Sequence, residues 1–443
     1  MELTCCVQQY AWGKLGLESE VALLKNSSDS NLLINESAPY AELWMGTHPN
    51  GPSTLKESKI NLEDWINSNP ECLGEKTREK FGNKLPFLFK VLSVQKALSI
   101  QAHPNKELQQ TCTEYSAGYK MELVSLTHLQ SSPHFDRCVF QSDLNIFITQ
   151  EHAEKLHKEN PNLYKDPNHK PEIAIALTPF EALCGFRPVE EIKSFLKSIV
   201  ELQNLVGQEI ASQLINSEQH QTEAALKACF TELMKCPDER IAVQTNAYIS
   251  RLSKMDQDLR TKNLASLFER LHSQFPGDVG CFVIYFLNYI ELLPGEAVFL
   301  GPNVPHAYIF GDCIECMACS DNVVRAGLTP KFRDVETLCE MLIYSCGGSV
   351  KFTDVRQLDE HTSVFAPPIE DFAVAKIEMK KSSKYKLKPK ESASICIVIQ
   401  GRFIADSVVY KRGSILFLEA NKSLDMEVTD EKGLLMFQAF SNA

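Results

Sequence analysis

No uninterrupted apolar run in this 443-residue sequence reaches the roughly twenty residues that a bilayer-spanning helix requires, so no membrane partner is expected. The amino end, Met1-Glu-Leu-Thr-Cys-Cys-Val-Gln-Gln-Tyr10, lacks the basic segment and apolar stretch of a secretory leader. A cytoplasmic location is the resulting expectation. Positive charge is also scarce: 45 Lys and Arg against 57 Asp and Glu leave a formal charge of -12. That balance argues against nucleic acid as a partner, and an anionic small molecule would need basic side chains gathered at one place. With 44% hydrophobic residues the chain can bury full cores, and its length allows two or three domains.

Cysteine, by contrast, is plentiful. The fifteen thiols are scattered and odd in number, as expected of buried thiols in a reducing compartment and not of a disulfide framework. Within Cys313-Ile-Glu-Cys316-Met-Ala-Cys319 an extended chain sends Cys313 and Cys316 to opposite faces, so a cysteine metal site is not expected there. Cys313 and Glu315 would share a face.

Up to about Arg187 short apolar runs alternate with turns, as in Leu85-Pro-Phe-Leu-Phe-Lys-Val-Leu92 and Trp44-Met-Gly-Thr-His-Pro-Asn-Gly-Pro52. From Pro188 to about Gln274 the period changes: Ile192, Phe195, Leu196 and Ile199 fall at helical spacing. Strand signals resume at Gly280-Cys-Phe-Val-Ile-Tyr-Phe-Leu-Asn-Tyr-Ile290, one helix is expected over Asp334–Tyr344, and a last all-β stretch closes the chain. The organisation is mainly β with a helical insertion: a first β part over 1–187, helices over 188–275, completion of the β-domain over 276–349 and a C-terminal β-domain over 350–443.

One segment, Lys96-Ala-Leu-Ser-Ile-Gln-Ala-His-Pro-Asn-Lys106, reads as a strand whose Leu98, Ile100 and Ala102 alternate with Ser99, Gln101 and His103. A polar strand face ordinarily turns to water. Two remote segments point elsewhere. In His169-Lys-Pro-Glu-Ile-Ala-Ile-Ala-Leu177, Glu172 opens a second alternating run beside the small Ala174 and Ala176. In Leu293–Tyr308, two turns and a short apolar strand deliver His306 onto another strand. Gln101, His103, Glu172 and His306 make a plausible nitrogen and oxygen donor set for zinc.

Tyr10-Ala-Trp-Gly13, Trp44-Met-Gly-Thr-His48, Ser99-Ile-Gln-Ala-His103, Asn168-His-Lys-Pro-Glu172, Pro305-His-Ala-Tyr308 and Asp321-Asn-Val-Val-Arg-Ala-Gly327 closely resemble the type I phosphomannose isomerase family, its eukaryotic branch in particular, over nearly the whole chain. The resemblance implies a cupin-like jelly-roll barrel as catalytic domain, an inserted α-helical domain and a second C-terminal jelly roll. It implies one Zn2+ per chain on Gln101, His103, Glu172 and His306, an active-site Arg325, and a cleft lined by Lys170, Tyr308, Glu315, Asp321 and Lys331. One departure is large: residues from about 108 to 151 look additional to the family pattern, either a surface excursion or a retained intron translated in frame. The intact mass of the protein from its source distinguishes the two.

The implied reaction interconverts mannose 6-phosphate and fructose 6-phosphate through a cis-enediol, feeding GDP-mannose and glycosylation precursors. It needs a base, an acid and stabilisation of the enediolate, the last supplied by zinc as a Lewis acid and by Arg325 as a fixed cation. Ser99 is a candidate for the phosphate, with Lys170 or Lys331 adding charge. The base stays open among Glu315, Asp321, Lys170 and Lys331, and Trp12, His48 and Tyr308 are candidates for the pocket wall. A monomer acting on a small sugar phosphate is expected. The rivals are a cupin that binds metal and sugar without turnover and an iron dioxygenase. Against the latter, iron sites use two His and one carboxylate, whereas Gln101 adds a fourth ligand.

Overall fold

The computed structural model describes residues 1–28, 33–105, 152–159, 161, 164–348 and 350–443. The segment expected to be additional, at about 108–151, lies outside them. The chain is mostly β, and the part that precedes and follows the helical insertion is a jelly-roll barrel of antiparallel strands. One path through it runs Lys351–Phe352, Ala297–Leu300, Glu172–Ala176, His306–Ala318, Phe87–Val94, Glu42–Met45 and Cys6–Gln8. The long strand His306–Ala318 belongs to two ladders. Its first half pairs with Phe180–Phe186 and touches Ile100–Ala102, and its second half lies between Phe87–Val94 and Glu172–Ala176.

Alternation sorts these strands into an inner and an outer face. Phe87, Phe89 and Val91 pack outward with Ile173, Ile175, Ile314 and Cys316. Leu92 and Val94 turn inward with Ala174, Ala176, Tyr308 and Cys313. Cys313 and Cys316 therefore do lie on opposite faces, and every described cysteine is a free thiol. The outer face is covered by a six-stranded C-terminal sheet through Phe372, Val374, Ile395, Ile397, Phe417 and Phe437. A four-stranded sheet closes the other side of that second jelly roll over Ile377, Val398, Phe403, Met426 and Met436.

Seven α-helices from Val189–Ser198 to Ala265–Gln274, with one short 3-10 turn among them, make up the insertion, packed on a core with Phe186, Phe230, Tyr248 and Phe268. Two expectations need correction. The run from Gly280 is not strand from its start: Gly280–Val283 is one helical turn, and the strand spans Leu287–Leu292. A short, uniformly apolar segment carries no period that separates the two states. The Gln101 strand is also shorter than the alternation suggested, Ile100–Ala102: these three residues pair with Val324–Gly327, and Gln101 alone also pairs on the other side, with His306. Asp334 caps the expected helix, Val335–Met341, by accepting from the Thr337 N–H.

Candidate active site

The short strand Ile100–Ala102 sits between two others, and its central residue, Gln101, is the direct partner of His306 on one side and of Arg325 on the other. Directly paired residues project to the same face, so amide, imidazole and guanidinium form one row. His103 follows two residues on. Glu172 enters from the Glu172–Ala176 strand, whose small Ala174 lies opposite Glu315. The ligand atoms of His103, Glu172 and His306 all lie within 4.8 Å of one another, and all three residues are buried. His103 Nε2 is 3.4 Å from Glu172 Oε1 and His306 Nε2 is 3.7 Å from Glu172 Oε2.

Both rings are oriented from behind. Nδ1 of His103 lies 2.7 Å from the carbonyl of Asn322, and Nδ1 of His306 lies 2.9 Å from that of Val304. Each Nδ1 thus carries the proton, and each Nε2 presents a lone pair to the carboxylate. Burial lowers the pKa of both imidazoles, that of His306 to about 4, so neither is charged near neutrality. Burial alone would raise Glu172, but Lys170, with Nζ 3.3 Å from Oε1, and His103 outweigh it and keep the carboxylate ionised. His306 Nε2 is buried without a hydrogen-bond partner among the described residues. Two neutral imidazoles, one carboxylate and an orphaned nitrogen suit a borderline cation such as zinc. Gln101 stands beside them with its amide nitrogen 3.4 Å from His103 Nε2 and its oxygen 3.2 Å from Ser99 Oγ. A half-turn of the amide would exchange those two atoms and bring the oxygen to the centre.

Above this group opens a cleft of about 690 Å³. Ser99, Gln101, Lys170, Glu172, Tyr308 and Glu315 line it, as do Trp12, His48, Asp321, Arg325 and Lys331, while His103 and His306 lie beneath its floor. Six basic side chains face four carboxylates along its walls, a local excess of positive charge on a chain with formal charge -12. Arg325 makes no ion pair among the described residues, so its charge remains available to a ligand, and half-burial lowers its pKa only by desolvation. Asp321 is drawn to His48 at 3.2 Å, and that hydrogen bond holds its carboxyl below the usual range. Lys331 stands exposed on the rim.

Glu315 reaches this cleft by a route that counting along the strand does not give, since it stands nine positions, an odd number, after His306. The ladder to Phe180–Phe186 slips by one residue between Tyr308 and Phe310, and Gly311 follows at φ 111°. The extra residue reverses the alternation, so His306 and Tyr308 before it and Cys313 and Glu315 after it all face inward. Glu315 there meets Lys90, a residue the sequence reading passed over, whose Nζ lies 2.9 Å from Glu315 Oε2 and 3.4 Å from Glu42 Oε2. Burial opposes the Lys90 charge, but Glu315, Glu42 and Glu172 outweigh it and raise its pKa. Burial, joined by Glu172 and Glu42, raises that of Glu315 against the pull of Lys90. The signal for Lys90 was present: one ammonium inside the apolar run Phe87–Val94, where a charge needs a partner. Lys96, stacked 4.4 Å from the Phe275 ring centroid, was also missed.

The chain matches three family models: the type I phosphomannose isomerase catalytic domain over residues 1–136 and 140–189, its helical insertion domain over 203–287 and its C-terminal domain over 364–407. It is 46% identical to the mannose-6-phosphate isomerase of Homo sapiens over 457 aligned positions, covering 99% of this chain and 97% of that protein. Among solved structures it is similar to a point mutant of phosphomannose isomerase from Salmonella typhimurium, with a TM-score of 0.75 and 27% identity over 100% of this chain and 99% of that one. A mannose 6-phosphate isomerase bound with zinc and yttrium is similar to the same extent, with a TM-score of 0.74 and 28% identity over 100% and 99%.

Proposed function

Because this chain belongs to the type I phosphomannose isomerase family, we propose that it interconverts mannose 6-phosphate and fructose 6-phosphate at the cleft above His103, Glu172 and His306. The observation that carries the reading is the buried group of two neutral imidazoles and one carboxylate at the floor of a cleft with an excess of cations. Gln101 joins them to hold one zinc ion. Bound there, zinc supplies Lewis acidity toward the sugar C1 and C2 oxygens. Arg325, in the same row as Gln101, adds a fixed positive charge where the enediolate develops.

Moving a proton between C1 and C2 through a cis-enediol takes one base and one acid. Of the four candidates, Asp321 is engaged by His48 and Lys331 stands on the rim, whereas Lys170 lies 3.3 Å from Glu172 and Glu315 pairs across the ladder with Ala174, two residues from Glu172. Glu315, its carboxyl raised by burial, and Lys170 are assigned the transfer. Ser99 and Lys331 hold the phosphate away from the floor, and Trp12, His48 and Tyr308 wall the sugar. Run toward mannose 6-phosphate, the reaction would feed GDP-mannose and glycosylation precursors in the cytoplasm. Incubation of the zinc-loaded protein with mannose 6-phosphate should yield fructose 6-phosphate. Absence of product after zinc is restored to chelated protein would end this reading.

A further inference from the structure

The helical insertion returns to the barrel through Pro276-Gly-Asp-Val-Gly280, and there the carboxylate of Asp278 is given over to backbone groups. Its Oδ1 accepts from the N–H of Gly280 at 2.6 Å and of Leu328 at 2.7 Å, and its Oδ2 accepts from the N–H of Thr329 at 3.1 Å. Leu328 stands at φ 53°, a left-handed conformation that a leucine does not choose unaided. The joint is close-packed: a Cβ on Gly327 would meet Gly280 Cα at 2.8 Å, and one on Gly280 would meet the Leu328 nitrogen at 2.6 Å. Thr329 passes the constraint on, since its Oγ1 accepts from the N–H of Lys331 at 3.1 Å. The clamped turn joins Arg325 to Lys331, and both line the cleft.

We propose that Asp278 is a positioning residue for the sugar phosphate: by fixing the Leu328–Thr329 turn it sets where Lys331 reaches into the cleft, and so makes the exit of the helical insertion part of substrate binding. This rests on the isomerase reading above. Charge-assisted hydrogen bonds to three backbone donors are strong enough to impose a backbone conformation. With the carboxylate gone, Leu328 relaxes toward negative φ, and the residues after it swing away from the phosphate.

The test is steady-state kinetics on mannose 6-phosphate with the zinc-loaded full-length protein. Asp278→Asn keeps the size and one carbonyl oxygen but loses the second acceptor. It should raise KM about tenfold while kcat falls less than threefold and zinc content stays that of wild type. In a Lys331→Ala background the same substitution should change KM less than twofold, because the displaced group is already absent. Thr329→Ala should raise KM and Thr329→Ser restore it, which carries the test if Asp278→Asn does not fold. An unchanged KM in Asp278→Asn, or an equal rise with and without Lys331, overturns the inference. A wild type that makes no fructose 6-phosphate overturns the isomerase reading and this inference with it, whereas an active wild type with an indifferent Asp278→Asn overturns the inference alone.

Discussion

Lys90 and Glu315 are direct partners across two antiparallel strands, and their charged ends meet inside the barrel at 2.9 Å. Removing one member of a buried pair leaves the other uncompensated, at a cost of about 3 kcal/mol. Lys90→Met should therefore lower the denaturation midpoint markedly, since Glu315 and Glu42 then face each other without a cation. The double variant Lys90→Met/Glu315→Gln should recover part of the loss in the same urea titration. No recovery would show that Lys90 stabilises through something other than this pair.

Gly311 carries the reversal that brings Glu315 to the cleft. A Cβ there would meet the Pro179 carbonyl at 2.5 Å and Phe180 Cα at 2.9 Å, at a φ of 111°. Gly311→Ala should cost about 2–3 kcal/mol by equilibrium unfolding and depress turnover as well, because the strand relieves the clash by moving Cys313 and Glu315. A variant as stable and active as wild type would contradict the bulge.

Arg325 and His306 should separate metal binding from turnover. Arg325→Ala is expected to keep its zinc and lose roughly 10²-fold or more in kcat, since a fixed cation is removed where negative charge develops. His306→Ala should lose both. Metal analysis alongside initial rates reads the two effects, and near-normal rates for Arg325→Ala would dismiss its electrostatic role.

A pH effect is expected where the barrel meets the insertion. Glu181 accepts from Arg270, with Arg270 Nη1 3.0 Å from Oε1, and from the Tyr289 hydroxyl at 2.6 Å. Burial would raise this carboxyl, but those hydrogen bonds win and lower its pKa below the usual 4.5. A depressed carboxylate contributes stability that is present above its unfolded value and lost as pH falls through its folded one. Glu181→Gln should therefore be about 1 kcal/mol less stable than wild type at pH 7, and the gap should close as pH drops below about 4.5. Melting curves across that range check it; a gap independent of pH would mean the charge on Glu181 plays no part.

Much of the site was legible because its residues obey the period of a strand. Gln101 and His103 lie two apart, and Glu172 keeps company with Ala174 and Ala176, so one dimension already places each set on a face. Where the period is broken the sequence is silent: nothing in His306–Ala318 states that a residue is skipped before Gly311, and strict counting would send Glu315 outward. Lys90 was readable in principle, as a lone charge among Phe89, Val91 and Leu92, but its partners come from strands remote in sequence. The Gly280 run misled because a uniformly apolar stretch suits a helical turn as well as a strand. Asp278 offered no more than a local turn at Gly280, since its other partners are backbone groups 50 and 51 residues away.

The outer face of the catalytic barrel has one further consequence. Every strand bearing a proposed zinc ligand has been made by Ala318, yet Phe89, Val91, Ile173 and Ile314 find their cover in residues such as Ile395, Phe417 and Phe437. While the ribosome completes the last hundred or so residues, the nascent barrel bears a greasy flank open to the cell, a stage at which chaperones and premature stops would matter most.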